Sequence, residues 1–308
     1  MGKVTEREFK SRVEYYEHQD KHGKVFLPNS LFETLLKEES LTTKGKRTTT
    51  YVDVAYSYLY LITWLYRNAK YGVMSYQNTD VGALKELIGF TSREQRIDKI
   101  IKKNGVLDGL GLTKTIPYKE APASYTIDED GFIDFETVSD VGLKVENNRK
   151  TVKEPIFGLY DSDGEYGYGT FFGGVDSDNI ARTHNVNFNI FIKCMTNKNL
   201  GTDAFYIYSF LKSKCDVAGG TIEISHDTIM KQTGITRGKM NSALDGLKKH
   251  GLIECFPATY VINSEADGAS VYSCNGIGSY SEEEMKYITR NVTGVKEAKK
   301  EEVKVTDF

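Results

Sequence analysis

The chain has 308 residues, of which 39% are hydrophobic and 27% are charged, and its formal net charge is −3. This composition is that of an ordinary soluble globular protein, and the length allows two domains. The most apolar stretch, VDVAYSYLYLITWLY, is too short to span a bilayer, and the charged N-terminus has no secretory signal. The four cysteines form no CxxC pair, which argues against a zinc site or a disulfide framework and favours a reduced, cytoplasmic protein.

The net charge averages over unlike regions. Residues 24–125 carry 15 Lys and Arg against 10 Asp and Glu, whereas residues 126–192 carry 5 against 13. Residues 193–280 are nearly neutral, with 9 against 8. The basic charge therefore lies in the first half, and an acidic segment separates it from the second.

The first half, after an N-terminal extension over residues 1–23, contains a helix-rich pattern between residues 24 and 127. A long helix, VDVAYSYLYLITWLYRNAKY, precedes a short strand, GVMSY, and a helix, TDVGALKELIG, that Gly89 ends. After the turn FTS comes a second helix, REQRIDKIIKKN, followed by Gly105 and the strand VLDGLGLTKTI. We expect a second strand near Ser124–Ile127 to close a hairpin with it.

Residues 128–192 form an acidic linker, rich in Gly and Asp, in which short strands can occur. Its segment TIDEDGFIDFET has the spacing of a calcium loop in part, but Thr137 stands where the bidentate glutamate is needed. We therefore expect no metal there.

The second half, residues 193–280, repeats the order of the first. A helix over FYIYSFLKSK is followed by the strand GGTIEIS, a short helix capped by Ser225 and ended by Gly234, and a three-residue turn. Thr236 caps the next helix, RGKMNSALDGLKKH, and Gly251 ends it. The strands LIECF and SVYSC then flank the loop NSEADGA. The similar stretches IKKNGVLD and LKKHGLIE mark equivalent points in the two halves.

This order resembles the winged helix-turn-helix family in both halves. The resemblance implies an α+β, mostly helical fold with two winged helix-turn-helix domains joined by the acidic linker, followed by a charged, disordered tail over residues 281–308. A tandem pair in a chain of this size is similar to the two-domain initiators of plasmid and phage replication.

In such modules the second helix lies in the major groove and residues near its N-terminus meet base edges. The resemblance and the outward positions of the residues give the following candidate DNA contacts: Ser92, Arg93, Gln95, Arg96, Lys99 and Lys103 in the first helix, Lys114 and Lys119 in its wing, Lys44, Lys46 and Arg47 in the segment TTKGKRTTT, and Thr236, Arg237, Lys239, Asn241 and Ser242 in the second helix.

The helix from Val52 to Tyr71 has almost no polar face. Such a helix is buried on more than one side. Burial beneath the segment FLPNSLFETLL is one explanation, and a homodimer interface that includes Tyr56, Tyr60 and Trp64 is the other.

No catalytic arrangement is present among the histidines, cysteines and carboxylates, so we expect neither an enzyme nor a cofactor. The leading hypothesis is a sequence-specific double-stranded DNA-binding protein that initiates plasmid or phage replication at repeated origin sites and recruits replication proteins. A dimeric transcriptional repressor or copy-control regulator is an alternative. A second alternative is an assembly factor whose winged helices bind protein.

Overall fold

The helices of the computed structural model alternate with short strands. The structure describes residues 3–16, 25–42, 50–127, 133–145, 147, 149–156, 183–258, 260–261, 268–288 and 292–293. The α-helices are α1 (Glu6–Arg12), α2 (Leu31–Lys37), α3 (Val52–Arg67), α4 (Val81–Leu87), α5 (Asp98–Ile101), α6 (Val106–Gly109), α7 (Phe188–Thr196), α8 (Thr202–Val217), α9 (His226–Thr233) and α10 (Arg237–Lys249). Short 3-10 helices cover Lys70–Gly72, Tyr76–Thr79, Tyr118–Glu120 and Ile277–Ser279.

The strands form small sheets, so the fold is α+β, as the sequence predicts. They are β1 (Phe26–Pro28), β2 (Thr113–Pro117), β3 (Pro122–Ile127), β4 (Ile133–Thr137), β5 (Thr151–Pro155), β6 (Thr183–Asn185), β7 (Thr221–Ile224), β8 (Ile253–Phe256), β9 (Tyr260–Val261), β10 (Ser270–Cys274) and β11 (Val292–Thr293). Antiparallel pairs join β1 to β6, β2 to β5 and β3 to β4, and a three-stranded antiparallel sheet has the order β7-β10-β8. Strands β9 and β11 pair in parallel.

Helix α3 lies at the centre of the core. Its residues from Val52 to Tyr66 are all buried, and it packs against α8 of the second half. The Trp64 indole stacks on the Phe188 ring with centroids 3.7 Å apart, and the Tyr56 ring stacks on Phe32 at 5.4 Å. One cluster of buried hydrophobic side chains runs from Phe9 to Tyr272. The two halves therefore share a core within the described residues.

The proposed dimer interface is wrong, because Tyr56, Tyr60 and Trp64 are each no more than 1% exposed within a single chain. The alternative explanation, burial beneath FLPNSLFETLL, is confirmed for Tyr56, which stacks on Phe32 of that segment, whereas Trp64 stacks on Phe188. Elements of the same chain, among them α2, α8 and β5, pack on α3, and the burial of these three side chains leaves no surface for a second copy.

A buried histidine connects α3 to the strand pair β1–β6. His184 Nδ1 lies 3.0 Å from Asn29 Oδ1, which can only accept, so Nδ1 carries the ring proton and Nε2 of the neutral ring accepts from the Tyr56 hydroxyl at 2.6 Å. Burial, followed by the charge of Lys212, lowers the pKa of His184 from 6.5 to about 3. Charging this ring would leave an ion in the core without a counter-charge.

The second half has the predicted order of elements. Helix α8 is followed by β7, α9, a three-residue turn, α10, β8 and β10, and the two later strands both lie in one sheet with β7. The predicted positions of these elements are confirmed.

The first half departs from the prediction at the segment GVMSY and again after Gly89. The expected helix over residues 93–104 is reduced to the single turn α5, and residues 106–109 form helix α6 where a strand was expected. The segment GVMSY also contains no strand. The predicted hairpin is wrong, since β2 pairs with β5 and β3 pairs with β4.

A buried ion pair accounts for much of this difference. Asp108 accepts from the ammonium of Lys153 on β5 at 2.5 Å, from Thr113 Oγ1 at 2.5 Å and from the backbone amide of Asn104 at 2.9 Å. Lys153 is 4% exposed and also donates to the Lys102 carbonyl. These bonds hold the chain after α5 against β5 and favour the pairing of β2 with β5. Lys153 lies 45 residues after Asp108 in the sequence.

Segments expected to lie outside the domains contribute to the core or its surface. Helix α1 of the predicted extension packs Phe9 edge-on against both Phe188 and Phe191. The predicted linker supplies β4, β5, β6 and the start of α7 in its described part. Residues 281–288 of the predicted tail pack against α10, where the Met285 amide donates to the Lys249 carbonyl at 2.7 Å.

Candidate nucleic-acid interface

Helices α9 and α10 are set by local capping signals. Ser225 Oγ accepts from the Thr228 amide at 3.1 Å at the start of α9, and Gly234 ends that helix with a left-handed φ of 70°. Thr236 caps α10 by accepting from the Lys239 amide at 3.5 Å. Gly251 follows the helix with a φ of 72°. These four positions confirm the helix boundaries expected from the sequence.

The N-terminal half of α10 exposes one polar face. Met240, Ala243, Leu244 and Leu247 are buried against the core, as their spacing predicts. The opposite face exposes Arg237, Gly238, Asn241 and Ser242. The C-terminal half is partly covered instead, since the Tyr287 hydroxyl donates to Asp245. The open part of the helix is thus its first two turns.

Arg237 makes a surface ion pair. Its guanidinium lies 2.7 Å from an oxygen of Asp227 on α9, and both side chains are about half exposed. An exposed pair of this kind contributes little to stability and exchanges readily for another acceptor. The guanidinium is therefore accessible to a ligand.

Lys239 has a different place from the one expected. Its ammonium donates to both oxygens of Asp53, at 2.9 and 3.0 Å, and to the Thr50 carbonyl at 3.0 Å. Asp53 is 1% exposed and also accepts from Thr202 Oγ1 at 2.8 Å. Lys239 therefore anchors α10 to the start of α3, and we correct its assignment from a DNA contact to an anchor.

The candidate residues of the first half lie on an exposed turn, not on a long helix. Ser92, Arg93, Gln95, Arg96 and Lys99 are all exposed between Phe90 and Ile100. Their accessibility is as expected, while the helix that was to present them is only four residues long.

Two of these cations already have partners. The Arg96 guanidinium forms a fork with Glu94, at 2.9 and 2.8 Å, and this hydrogen bonding lowers the pKa of Glu94 to about 2. The Lys99 ammonium donates to the Ser40 carbonyl at 3.4 Å and lies 5.6 Å from the centre of the Tyr51 ring. The Arg96 side chain remains exposed although it is paired with Glu94, so its guanidinium still presents hydrogen-bond donors at the surface.

Lys99 of the first half and Lys239 near the N-terminus of α10 both bond to the chain close to Thr42 and Thr50. These two residues form an isolated β-bridge, and Thr50 accepts from Lys239 while Ser40 accepts from Lys99. A Cβ placed on Gly234 would lie 3.1 Å from the Thr42 side chain. The turn between α9 and α10 therefore packs directly on this bridge.

Residues 43–49, which include Lys44, Lys46 and Arg47, lie outside the described residues. The residues that flank this segment in the sequence, Thr42 and Thr50, are the two partners of the β-bridge. We use the name composite surface for Arg93, Arg96 and Lys99, the Thr42–Thr50 bridge, and the exposed residues of α10, namely Arg237, Gly238, Asn241 and Ser242.

The remaining candidates are exposed elsewhere. Lys103 follows α5, Lys114 lies on β2 opposite Glu154, and Lys119 lies in the 3-10 helix after β2. The wing expected to carry Lys114 and Lys119 requires β2 to pair with the strand near Ser124–Ile127. This hairpin does not form, because β2 pairs with β5.

Sequence reasoning missed Asp53 and Thr50. A signal for Asp53 was available, since it is the single ionisable carboxylate in the apolar run VDVAYSYLYLITWLY, and a carboxylate in such a helix requires a partner when buried. The identity of that partner, 186 residues away, could not be found from spacing.

Comparison of the chain with protein-family models, with curated proteins and with solved structures found no match. Among the described helices, none is long and apolar enough to cross a membrane.

Proposed function

We propose that this chain is a sequence-specific double-stranded DNA-binding protein that places the first two turns of α10 in the major groove. The observation that carries the proposal is the exposed N-terminal half of α10, held in a helix, turn and helix arrangement beside a three-stranded sheet. This order of elements is that of a winged helix-turn-helix module, in which the second helix reads bases. We limit the winged-helix proposal to residues 202–274.

The side chains on that face suit base recognition. An arginine bonds O6 and N7 of guanine together, and an asparagine bonds N6 and N7 of adenine. Arg237 and Asn241 are one helical turn apart, so their side chains extend from the same face. Gly238 and Ser242 lie between and beside them, and their small size leaves room for the helix to approach the bases.

The rest of the composite surface supplies phosphate contacts. Lys99 lies close to the Thr42–Thr50 bridge through its bond to Ser40, Arg93 and Arg96 are exposed on the same turn of the chain, and Lys44, Lys46 and Arg47 belong to the sequence between Thr42 and Thr50. Such contacts position a protein on DNA without reading its sequence. The proposal therefore replaces two separate reading heads by one surface to which both halves contribute.

For the biological role we retain the initiator hypothesis, in which the protein binds repeated origin sites and recruits replication proteins. Replication from direct repeats requires several copies bound side by side, whereas a dimeric repressor or copy-control regulator requires an inverted repeat. Protein docking by the same module would require no DNA site.

These possibilities are separated by selecting bound fragments from a random duplex library at physiological salt and footprinting the selected sites. We expect enrichment of a short site, and protection of direct repeats when natural origin DNA is used. A symmetric inverted site would favour the dimeric regulator, and absence of enrichment would contradict DNA recognition.

A matched pair of variants links the result to α10. Arg237→Ala combined with Asn241→Ala should weaken binding to the selected site at least tenfold, since each base contact is worth about 1–3 kcal/mol. Arg149→Ala, which removes an exposed arginine from the loop before β5, is the control and should bind as the parent does.

A further inference from the structure

The face of α10 that carries Arg237 and Asn241 continues beyond the first two turns of the helix. Asp245 and Lys248 follow Asn241 at spacings of four and three residues, and Lys249 lies beside them. Helical residues three and four positions apart lie on one face, so these three residues extend the proposed recognition face towards the C-terminus. In the proposed docking, this second half of the face would also lie close to the DNA.

The second half of this face is covered by residues 281–288, which we call the strap. The Tyr287 hydroxyl of the strap donates to Asp245. The Lys248 ammonium lies 4.3 Å from the centre of the Tyr287 ring, within the range of a cation–π contact. The strap therefore lies against the very side chains that continue the recognition face.

The strap carries negative charge where DNA would bring phosphates. Residues 282–284 are all glutamates and all exposed, and Lys286 is the one cation of the strap. The Lys249 ammonium lies 3.3 Å from the Glu284 carboxylate. Carboxylates and phosphates accept from an ammonium in the same way, so Glu284 occupies the position of a phosphate contact at Lys249.

The strap is held mainly by polar contacts at the surface. The Met285 amide donates to the Lys249 carbonyl at 2.7 Å, but the Met285 and Ile288 side chains are 42% and 61% exposed. A space of about 330 Å³ lies between the strap and β8, with Ile253 and Phe256 on the β8 side. A segment that buries little apolar surface and forms exposed ion pairs opens at low cost.

The chain is fixed on both sides of the strap. The Ser281 amide donates to the His250 carbonyl at 3.1 Å, and His250 Nδ1 lies 2.8 Å from the Ser281 carbonyl oxygen. Beyond the strap, β11 pairs with β9. Movement of the residues between these attachments would leave both attachments in place.

We propose that the second half of the exposed face of α10 is a DNA-backbone site and that the strap competes with DNA for it. On binding, phosphates replace Glu284 at Lys249 and the Tyr287 ring at Lys248, and the strap leaves the helix. The strap thus lowers the affinity for any duplex, whether or not it contains the recognised site. This inference rests on the proposed recognition of DNA by α10.

Hydrogen exchange of the full-length chain, with and without the selected duplex, measures the strap directly. We expect exchange in residues 281–288 to become faster with DNA, because the Met285 amide loses the Lys249 carbonyl. Exchange in α10 should become slower in the same experiment. Protection of α10 with unchanged or slower exchange in the strap would overturn the competition, whereas no change in either region would refute DNA recognition by α10 and this inference with it.

Tyr287→Ala tests the effect on affinity without a change of charge. The variant removes the contacts of the strap with Asp245 and Lys248. We expect binding about fivefold tighter to both the selected and an unrelated duplex, since a covered site lowers the apparent affinity by its open fraction. Affinities equal to those of the parent would contradict the competition.

Tyr16→Ala is the matched control. The Tyr16 side chain is 53% exposed, its hydroxyl donates to Glu14 at 2.5 Å, and its ring lies 5.9 Å from the Lys70 ammonium. The variant therefore removes the same kinds of contact as Tyr287→Ala but leaves the strap intact. Its DNA affinity should equal that of the parent, and a gain equal to that of Tyr287→Ala would contradict the role of the strap.

The phosphate contacts of the uncovered lysines are tested in the Tyr287→Ala protein. Adding Lys248→Gln and Lys249→Gln should abolish the gain in affinity and reduce the salt slope by about one to two. The comparison is made with Tyr287→Ala itself, in which the strap is already released. A salt slope equal to that of Tyr287→Ala would show that these lysines bind no phosphates and would overturn the proposed site.

Discussion

The bond between Lys239 and Asp53 should be the main energetic link between α10 and the core. Asp53 is 1% exposed and accepts three hydrogen bonds, two from the Lys239 ammonium and one from the Thr202 hydroxyl. Removing one partner of a fully buried pair costs about 3–5 kcal/mol, because the other charge is left without compensation. The Lys239 side chain is 32% exposed, so water can partly hydrate its ammonium once the carboxylate is gone. We therefore expect Asp53→Asn to lower the free energy of unfolding by about 2 kcal/mol.

A double-mutant cycle isolates the pair from the effects of each single change. The free energies of unfolding of the parent, Asp53→Asn, Lys239→Met and the double variant are measured by urea denaturation at pH 7. We expect a coupling energy of about 1.5–2 kcal/mol between the two sites. Glu33→Gln is the control, since Glu33 pairs with Lys37 at the exposed surface and its loss should leave the free energy of unfolding almost unchanged. A coupling energy below about 0.5 kcal/mol would refute the anchoring role of Lys239.

Two further predictions concern His184 and the glycines of α10. Since the folded-state pKa of His184 is lowered from 6.5 to about 3, the unfolded chain binds a proton below pH 6.5 that the folded chain does not, and stability falls as the pH drops. Between pH 7 and pH 5 the free energy of unfolding, measured by urea denaturation, should fall by about 2 kcal/mol more in the parent than in His184→Gln. An equal fall in both proteins would show that the ring is not held neutral. A Cβ on Gly246 would lie 2.7 Å from the Asn199 carbonyl oxygen, so Gly246→Ala should cost about 2 kcal/mol. A Cβ on Gly238 would meet no described residue within 4 Å, so Gly238→Ala should raise stability by about 0.5–1 kcal/mol. Thermal denaturation of the two variants should therefore give shifts of opposite sign.

The helices of the second half could be predicted because their signals are local. Ser225, Gly234, Thr236 and Gly251 each act within one turn of the helix that they cap, and the apolar spacing of α10 gives its buried face. The exposed positions of Arg237 and Asn241 follow from the same spacing. No distant contact is needed to place these elements.

The first half depends on contacts that spacing cannot reveal. The sequence REQRIDKIIKKN has helical periodicity, but Asp108 and its bond to Lys153 direct the chain away from a helix and hairpin of local origin. Strand β2 pairs with β5, which lies in the acidic segment that was expected to be a linker. The local pattern of this region favours a helix followed by a hairpin. The ion pair between Asp108 and Lys153 instead stabilises the pairing of β2 with β5.

The composite surface could not be predicted from the sequence either. Its two parts meet because Lys239 bonds to Asp53 and Thr50, and because Lys99 bonds to Ser40. The predicted residues were mostly exposed as expected, but the sequence assigned them to two separate domains. Their proximity follows only from the shared core.

The central claim, that α10 reads bases while the first half holds phosphates, is tested most directly by measuring affinity for the selected duplex across a range of salt concentrations. Arg237→Ala with Asn241→Ala should lose most of the preference for the selected site over unrelated DNA and retain the binding to unrelated DNA. Arg93→Ala with Arg96→Ala should weaken binding to both and reduce the salt slope by about one to two. If the α10 variant keeps the parent's preference for the selected site, α10 does not read the bases and the account is contradicted.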